Sequence, residues 1–90
     1  MTSDTSAGAA SPAPRVALIG KPGCHLCDDA RQVVASVCAQ TSDRFEEWSI
    51  EEDPSLYDEY WERIPVVLVD GRPHDFWIID RDRLLAALSA

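Results

Sequence analysis

The apolar positions fall into two kinds of run. "RVALI" (15–19) is apolar almost throughout and stops at Gly20. Continuous apolar character without alternation predicts a strand covered on both faces. "GKPG" then breaks the chain with turn residues Pro22 and Gly23. From His25 to about Gln40, Leu26, Ala30, Val33, Val34 and Val37 recur at helical spacing. Thr41, Ser42 and Asp43 end that helix. "RFEEWSI" (44–50) carries the β-formers Phe45, Trp48 and Ile50 and predicts a second strand. Asp53 and Pro54 are a favoured pair of helix-starting residues. Leu56, Tyr57, Tyr60 and Trp61 follow on one helical stripe, expected to pack into the core. "PVVLV" (65–69) is the strongest strand. Asp70-Gly71 is a hairpin signal, and "RPHDFWI" (72–78) is the returning strand, with Pro73 marking it as an edge. Asp80 caps a last helix, "RDRLLAALSA", which buries Leu84, Leu85 and Leu88.

The order β-α-β-α-β-β-α predicts an α/β fold. A right-handed parallel crossover comes first and an antiparallel hairpin last. The result is a four-stranded mixed sheet with helices on both faces. Residues 1–14 are rich in Ser, Ala, Thr, Gly and Pro and are expected to be a disordered tail. Residues 15–90 are expected to be one domain, large enough for a small core. There is no secretory pattern at the N-terminus and no apolar run of membrane-spanning length, so a cytoplasmic location is expected.

The formal net charge is −8, and its excess is local. Residues 43–62 hold nine acids (Asp43, Glu46, Glu47, Glu51, Glu52, Asp53, Asp58, Glu59, Glu62) against Arg44. Such a protein repels phosphate backbones, which argues against nucleic-acid binding. The acidic stretch reads first as a solvated face and second as a docking patch for a basic partner.

Of the three cysteines, Cys24 and Cys27 form a C-x-x-C between a strand and a helix. In a reducing compartment that pattern points to redox or metal chemistry rather than a structural disulfide. Cys24 lies where strand gives way to helix, close to unpaired backbone N–H groups and the positive end of the helix dipole. Both favour negative charge on sulfur, and the thiolate is the nucleophile. Cys27 lies one turn on, so Cys24 is expected to attack and Cys27 to resolve. Lys21 adds positive charge nearby, Asp28 and Asp29 oppose it, and His25 is a tuning or solvent-facing residue. One C-x-x-C supplies two of the four ligands that zinc needs. Cys38, on the same helix about 16 Å further along, reads as a buried small hydrophobe. Pro65, directly before the strongest strand, lacks an N–H and leaves the backbone of Ile64 free to pair with an extended substrate. A cis Ile64–Pro65 bond fits that position.

"KPGCHLC" and "RIPVVLVDG" resemble the active-site loop and cis-proline segment of the glutaredoxins, within the thioredoxin superfamily. The likeness spans about residues 15–89. It is nearest to short bacterial glutaredoxin-like proteins, which share the "DG", the Trp-containing strand and the Leu/Ala-rich last helix of "GRPHDFWIIDRDRLLAAL". The resemblance implies dithiol–disulfide exchange, with Cys24 as nucleophile, Cys27 as resolver and Pro65 in substrate contact. It implies no tightly bound cofactor and no metal. A low-molecular-weight thiol is expected as co-substrate: glutathione from the resemblance, or mycothiol from an Arg-heavy, Lys-poor, Ala-rich composition that points to a high-G+C genome. The implied partners are a disulfide-bearing protein and a thiol or flavin reductase; a monomer is expected. Two features depart from the glutaredoxin pattern. The glycine pair that holds glutathione is replaced by "WIIDRD" (77–82), and the residues between the cysteines are His-Leu. The alternatives are a non-catalytic thioredoxin-fold binding module and a metal or iron–sulfur protein.

Overall fold

The computed structural model describes residues 15–89; the expected disordered tail at 1–14 lies outside them. Seven elements follow in the expected order: β1 (Val16–Gly20), α1 (His25–Thr41), β2 (Phe45–Ser49), α2 (Pro54–Tyr60), β3 (Val66–Val69), β4 (Arg72–Phe76) and α3 (Arg81–Ser89). The sheet order is β2-β1-β3-β4. β1 pairs with β2 in parallel and with β3 antiparallel; β3 and β4 form an antiparallel hairpin.

The unbroken apolar run of β1 follows from its central place, since all five of its residues are buried. Val16 and Leu18 face a core shared with Val34 and Val37 of α1, Val67 of β3 and Leu84 and Leu88 of α3. Ala17 and Ile19 face the other core, with Val66, Leu68 and Tyr60 of α2. Thus α1 and α3 cover one face of the sheet and α2 the other. Among the described residues no helix is long and apolar enough to cross a membrane.

Local chemistry explains the element ends. Asp70 and Gly71 both have positive φ, 52° and 80°, the backbone of a two-residue type I′ hairpin. Asp53 caps α2: its Oδ1 accepts the Ser55 N–H at 2.8 Å, and Pro54 follows. Asp53→Ala is expected to cost about 1 kcal/mol, seen as a lowered urea midpoint at constant m-value. Asp80 Oδ1 accepts the Arg83 N–H at 3.0 Å at the start of α3. β4 is an edge strand, which suits Pro73.

Three expectations need correction. The buried stripe of α1 runs through Cys27, Ala30, Val34, Val37 and Cys38, whereas Leu26 is 42% exposed. Leu26 lies at the edge of that stripe, four residues before Ala30, but in the first turn of the helix, where it borders Trp77 and Ile78 at a surface hollow instead of the core. In α2 only Tyr60 is fully buried, while Tyr57 and Trp61 are about half exposed. They stack on each other at 6.2 Å and 9°. Leu56/Tyr60 and Tyr57/Trp61 are adjacent i,i+4 rows, and a seven-residue helix turns only one of them to the sheet. Finally, β4 ends at Phe76. Trp77 takes φ 62°, which leaves Ile78 exposed and turns Ile79 into the α1/α3 core.

Candidate functional site

The loop Lys21–Cys24 joins the buried end of β1 to α1. Gly23 turns it at φ +75° with nothing near a would-be Cβ. Cys24 is the N-cap of a 17-residue helix, with extended backbone. Its carbonyl accepts the Asp28 N–H at 3.0 Å. Its Sγ takes the role a Ser or Asp oxygen fills at most caps, accepting the Cys27 N–H at 3.2 Å. The sulfur therefore sits where the helix presents unpaired donors and the positive end of its dipole. Cys24 is partly exposed and Cys27 is buried; both are free thiols.

The two cysteines differ in electrostatics as well as access. Burial pushes the Cys27 thiol up to about 11. Its hydrogen bond with Cys24 adds to the rise. The Lys21 backbone N–H works in the opposite direction, and the charges of Cys24 and Asp28 raise it a little further. At neutral pH the inner sulfur thus holds its proton. Asp28 is in turn tied to Arg31 at 2.9 Å, and Arg31 reaches Glu47 of β2 at 2.6 Å. This fastens the first turns of α1 to the neighbouring strand.

Gly20, which in the sequence marks only the end of a strand, has a second role in the structure. A Cβ there would lie 2.8 Å from Cys27 Sγ and 3.2 Å from Cys27 Cβ. The inner cysteine can lie against β1 only because this position has no side chain. A glycine at the strand end, seven residues before the inner cysteine, was the available signal.

Lys21 and His25 are both exposed. Lys21 borders a groove of about 300 Å³ that reaches the Cys27 side of the pair and is walled by Pro22, Arg31, Trp48 and Ser49. On the other side lies the Ile64–Pro65 segment, with a cis peptide bond. Val66 pairs with Ile19, so this register brings Pro65 level with Gly20, where the loop to Cys24 departs. The Pro65 ring is fully buried, and its carbonyl accepts the Trp77 N–H at 2.8 Å. Ile64 is half-buried, and among the described residues its backbone has no backbone hydrogen-bond partner. Cys24, Cys27, Lys21 and His25 therefore share one end of the molecule with Ile64 and Pro65.

Cys38 lies apart. It packs into the α1/α3 core, and burial, with the nearby Asp43 charge, raises its thiol above the ordinary range. Among the described residues no three His, Cys, Asp or Glu side chains gather in a group able to hold a metal ion.

Comparison with known proteins adds a family. The family model described as glutaredoxin-like domain (DUF836) matches residues 15–89. The uncharacterized protein Rv0508 of Mycobacterium tuberculosis is 32% identical over 83 residues, covering 84% of each chain; a Mycobacterium bovis protein, Mb0520, matches equally. Among solved structures, the X. campestris protein XcR50 superimposes with a TM-score of 0.68 at 33% identity, covering 82% of this chain and 95% of that one. Ne2328 of Nitrosomonas europaea superimposes at 0.71, with 21% identity and coverage of 87% and 94%, a likeness of fold.

Proposed function

The chain belongs to the glutaredoxin-like domain (DUF836) family, and on that premise we propose that it is a thiol–disulfide oxidoreductase working through Cys24 and Cys27. The observation that carries this reading is the unlike pair of sulfurs one helical turn apart. One is accessible and capped by a helix N-terminus; the other is buried and protonated.

In the first step the Cys24 thiolate attacks a substrate disulfide R–S–S–R′. A Cys24–S–S–R bond forms, the S–S bond breaks, and R′–S⁻ leaves and takes a proton from water. In the second step Cys27 gives up its proton and its sulfur attacks Cys24 Sγ. The internal disulfide forms and R–S⁻ leaves, taking up a proton. The substrate gains two electrons and the protein loses two. A low-molecular-weight thiol, glutathione or mycothiol, or a flavin reductase returns the disulfide to the dithiol. This direction of electron flow suits a reducing compartment such as the cytoplasm. Lys21 and His25 tune the charge around the pair. Pro65 positions the segment, and the free backbone of Ile64 pairs with an extended substrate chain.

The high value for Cys27 belongs to the resting dithiol. Once Cys24 is in a mixed disulfide, its hydrogen bond and charge no longer hold the Cys27 proton; burial and the Asp28 charge remain, opposed by the Lys21 N–H. Below that value each pH unit gives ~10-fold more Cys27 thiolate. Release of the second product is therefore expected to accelerate with pH by nearly that factor, read by quenched-flow mass analysis of the mixed disulfide. A release rate independent of pH would remove Cys27 as the resolving group.

The overall reading is tested by catalysed reduction of insulin and of a small aromatic disulfide, with dithiothreitol as electron source. Turnover above the uncatalysed rate is the expected result. Folded protein with no turnover on either substrate would leave a binding module in place of an enzyme.

A further inference from the structure

Helix α2 turns two large aromatic side chains to solvent. Tyr57 is 48% and Trp61 51% accessible, and their rings stack at 6.2 Å with the planes 9° apart. The core does not account for them, because Leu56 and Tyr60 are the row of α2 that joins it. Tyr57 also borders an open groove of about 380 Å³. The apolar Ile50 and Pro54 line it, and so do the exposed acids Glu51 and Asp58. Apolar surface and carboxylates thus meet in one place.

The charge there is of one sign and is left uncompensated. Glu62, directly after Trp61, is exposed too. Among the described residues Glu51, Asp58 and Glu62 have no ion-pair partner. Arg63, the next cation along the chain, stands over the Phe76 ring at 5.7 Å. Such acids repel an anionic lipid surface and a phosphate backbone. A second copy of a chain whose net charge is −8 is repelled for the same reason. A cationic polypeptide is attracted.

We propose that Tyr57, Trp61 and the groove beside them are a docking face for a protein partner, engaged through an arginine-bearing segment of that partner. Arginine matches both things this face offers. Its methylene stem lies along apolar surface. Its planar guanidinium stacks on an aromatic face and pairs with a carboxylate through two parallel hydrogen bonds. Lysine has the charge without the plane. The face lies across the sheet from α1, the helix that carries the C-x-x-C. It goes beyond the exchange reading and does not depend on it.

The test uses the full chain, reduced, with short fluorescent peptides that contain no cysteine. One peptide has arginines spaced by serine, and the other has lysine at the same places. The arginine peptide is expected to bind at least ~3-fold tighter than the lysine peptide, and both are expected to weaken as salt rises. Tyr57→Ala with Trp61→Ala is expected to erase the margin between the peptides. Asp58→Asn with Glu62→Gln, which leaves both rings in place and changes only exposed side chains, is expected to weaken both peptides and keep the margin. Ile78→Ser, at an exposed residue on the α1 side of the molecule, is expected to change neither. Equal binding of the two peptides by the parent protein would overturn the docking face. So would a margin that survives loss of both rings, binding indifferent to Asp58→Asn with Glu62→Gln, or a margin lost in Ile78→Ser.

Discussion

Cys24→Ser is expected to reduce disulfide turnover to the uncatalysed rate, whereas Cys27→Ser is expected to stop the reaction halfway, with substrate held on Cys24. The difference follows from position. Only Cys24 combines access with a backbone donor aimed at its sulfur; a serine hydroxyl there is not ionised and does not attack a disulfide. Cys27 is buried, and its proton is held up to about 11, so with Cys24 gone it makes a poor substitute. Magnitudes decide whether so reluctant a thiol can still resolve. Even at that resting-dithiol value, which loss of the Cys24 hydrogen bond and charge lowers in the mixed disulfide, roughly 10⁻⁴ of it is thiolate at pH 7. A well-placed intramolecular group acts at an effective concentration of at least ~10⁵ M. The product is ~10 M of attacking sulfur, against millimolar thiol in solution. Removing Cys27 is therefore expected to prolong the mixed disulfide by about a thousandfold or more, measured as the decay of the adduct by mass spectrometry. Equal losses in the two variants, with no trapped species, would contradict the assignment of roles.

Gly20→Ala is the second large effect. The added methyl would meet Cys27 Sγ at 2.8 Å and Cys27 Cβ at 3.2 Å. Cys27 is a short side chain in the first turn of a long helix, and that turn is also tied to β2 through Arg31 and Glu47. Relief must come from moving the helix start or rotating the sulfur. Overpacking of this kind costs about 1–3 kcal/mol, or roughly 4–8 °C per kcal/mol in a domain this small. It also carries the resolving sulfur away from Cys24, so the mixed disulfide is expected to live longer than in the parent protein. Gly23→Ala is the natural comparison. Nothing lies near its Cβ, so the cost is only that of φ +75°, about 1–2 kcal/mol. Resolution is then expected to be unchanged. A Gly20→Ala protein that melts and resolves like the parent would show that the inner sulfur does not depend on this gap.

Much of the fold was legible because β1 and α1 carry undiluted signals. A run buried on both faces has no alternation to misread, and the Asp70-Gly71 and Asp53-Pro54 pairs each have one dominant structural use. The site was legible for a similar reason. A C-x-x-C at a strand–helix join leaves the first sulfur at the N-cap and the second one turn on, whatever surrounds them. What escaped depends on distance across the fold. Tyr57 and Trp61 share a helix with Leu56 and Tyr60, but the sheet has room for one row, and no periodicity says which. Gly20 matters because of a sulfur seven residues away. Trp77 looks like one more β-former in "HDFWI" until its left-handed backbone ends the strand and turns the indole out beside Pro65.

The central claim, a redox couple made of Cys24 and Cys27 with Cys38 as a bystander, is tested most directly by counting and mapping thiols. Fully reduced protein, with its three cysteines, is mixed with a single equivalent of an aromatic disulfide, quenched with an alkylating agent and analysed by peptide mass. The expected outcome is one internal disulfide joining Cys24 and Cys27, release of both aromatic thiols, and alkylation at Cys38 alone when the protein is unfolded. Three alkylated cysteines, or a disulfide that includes Cys38, would contradict it.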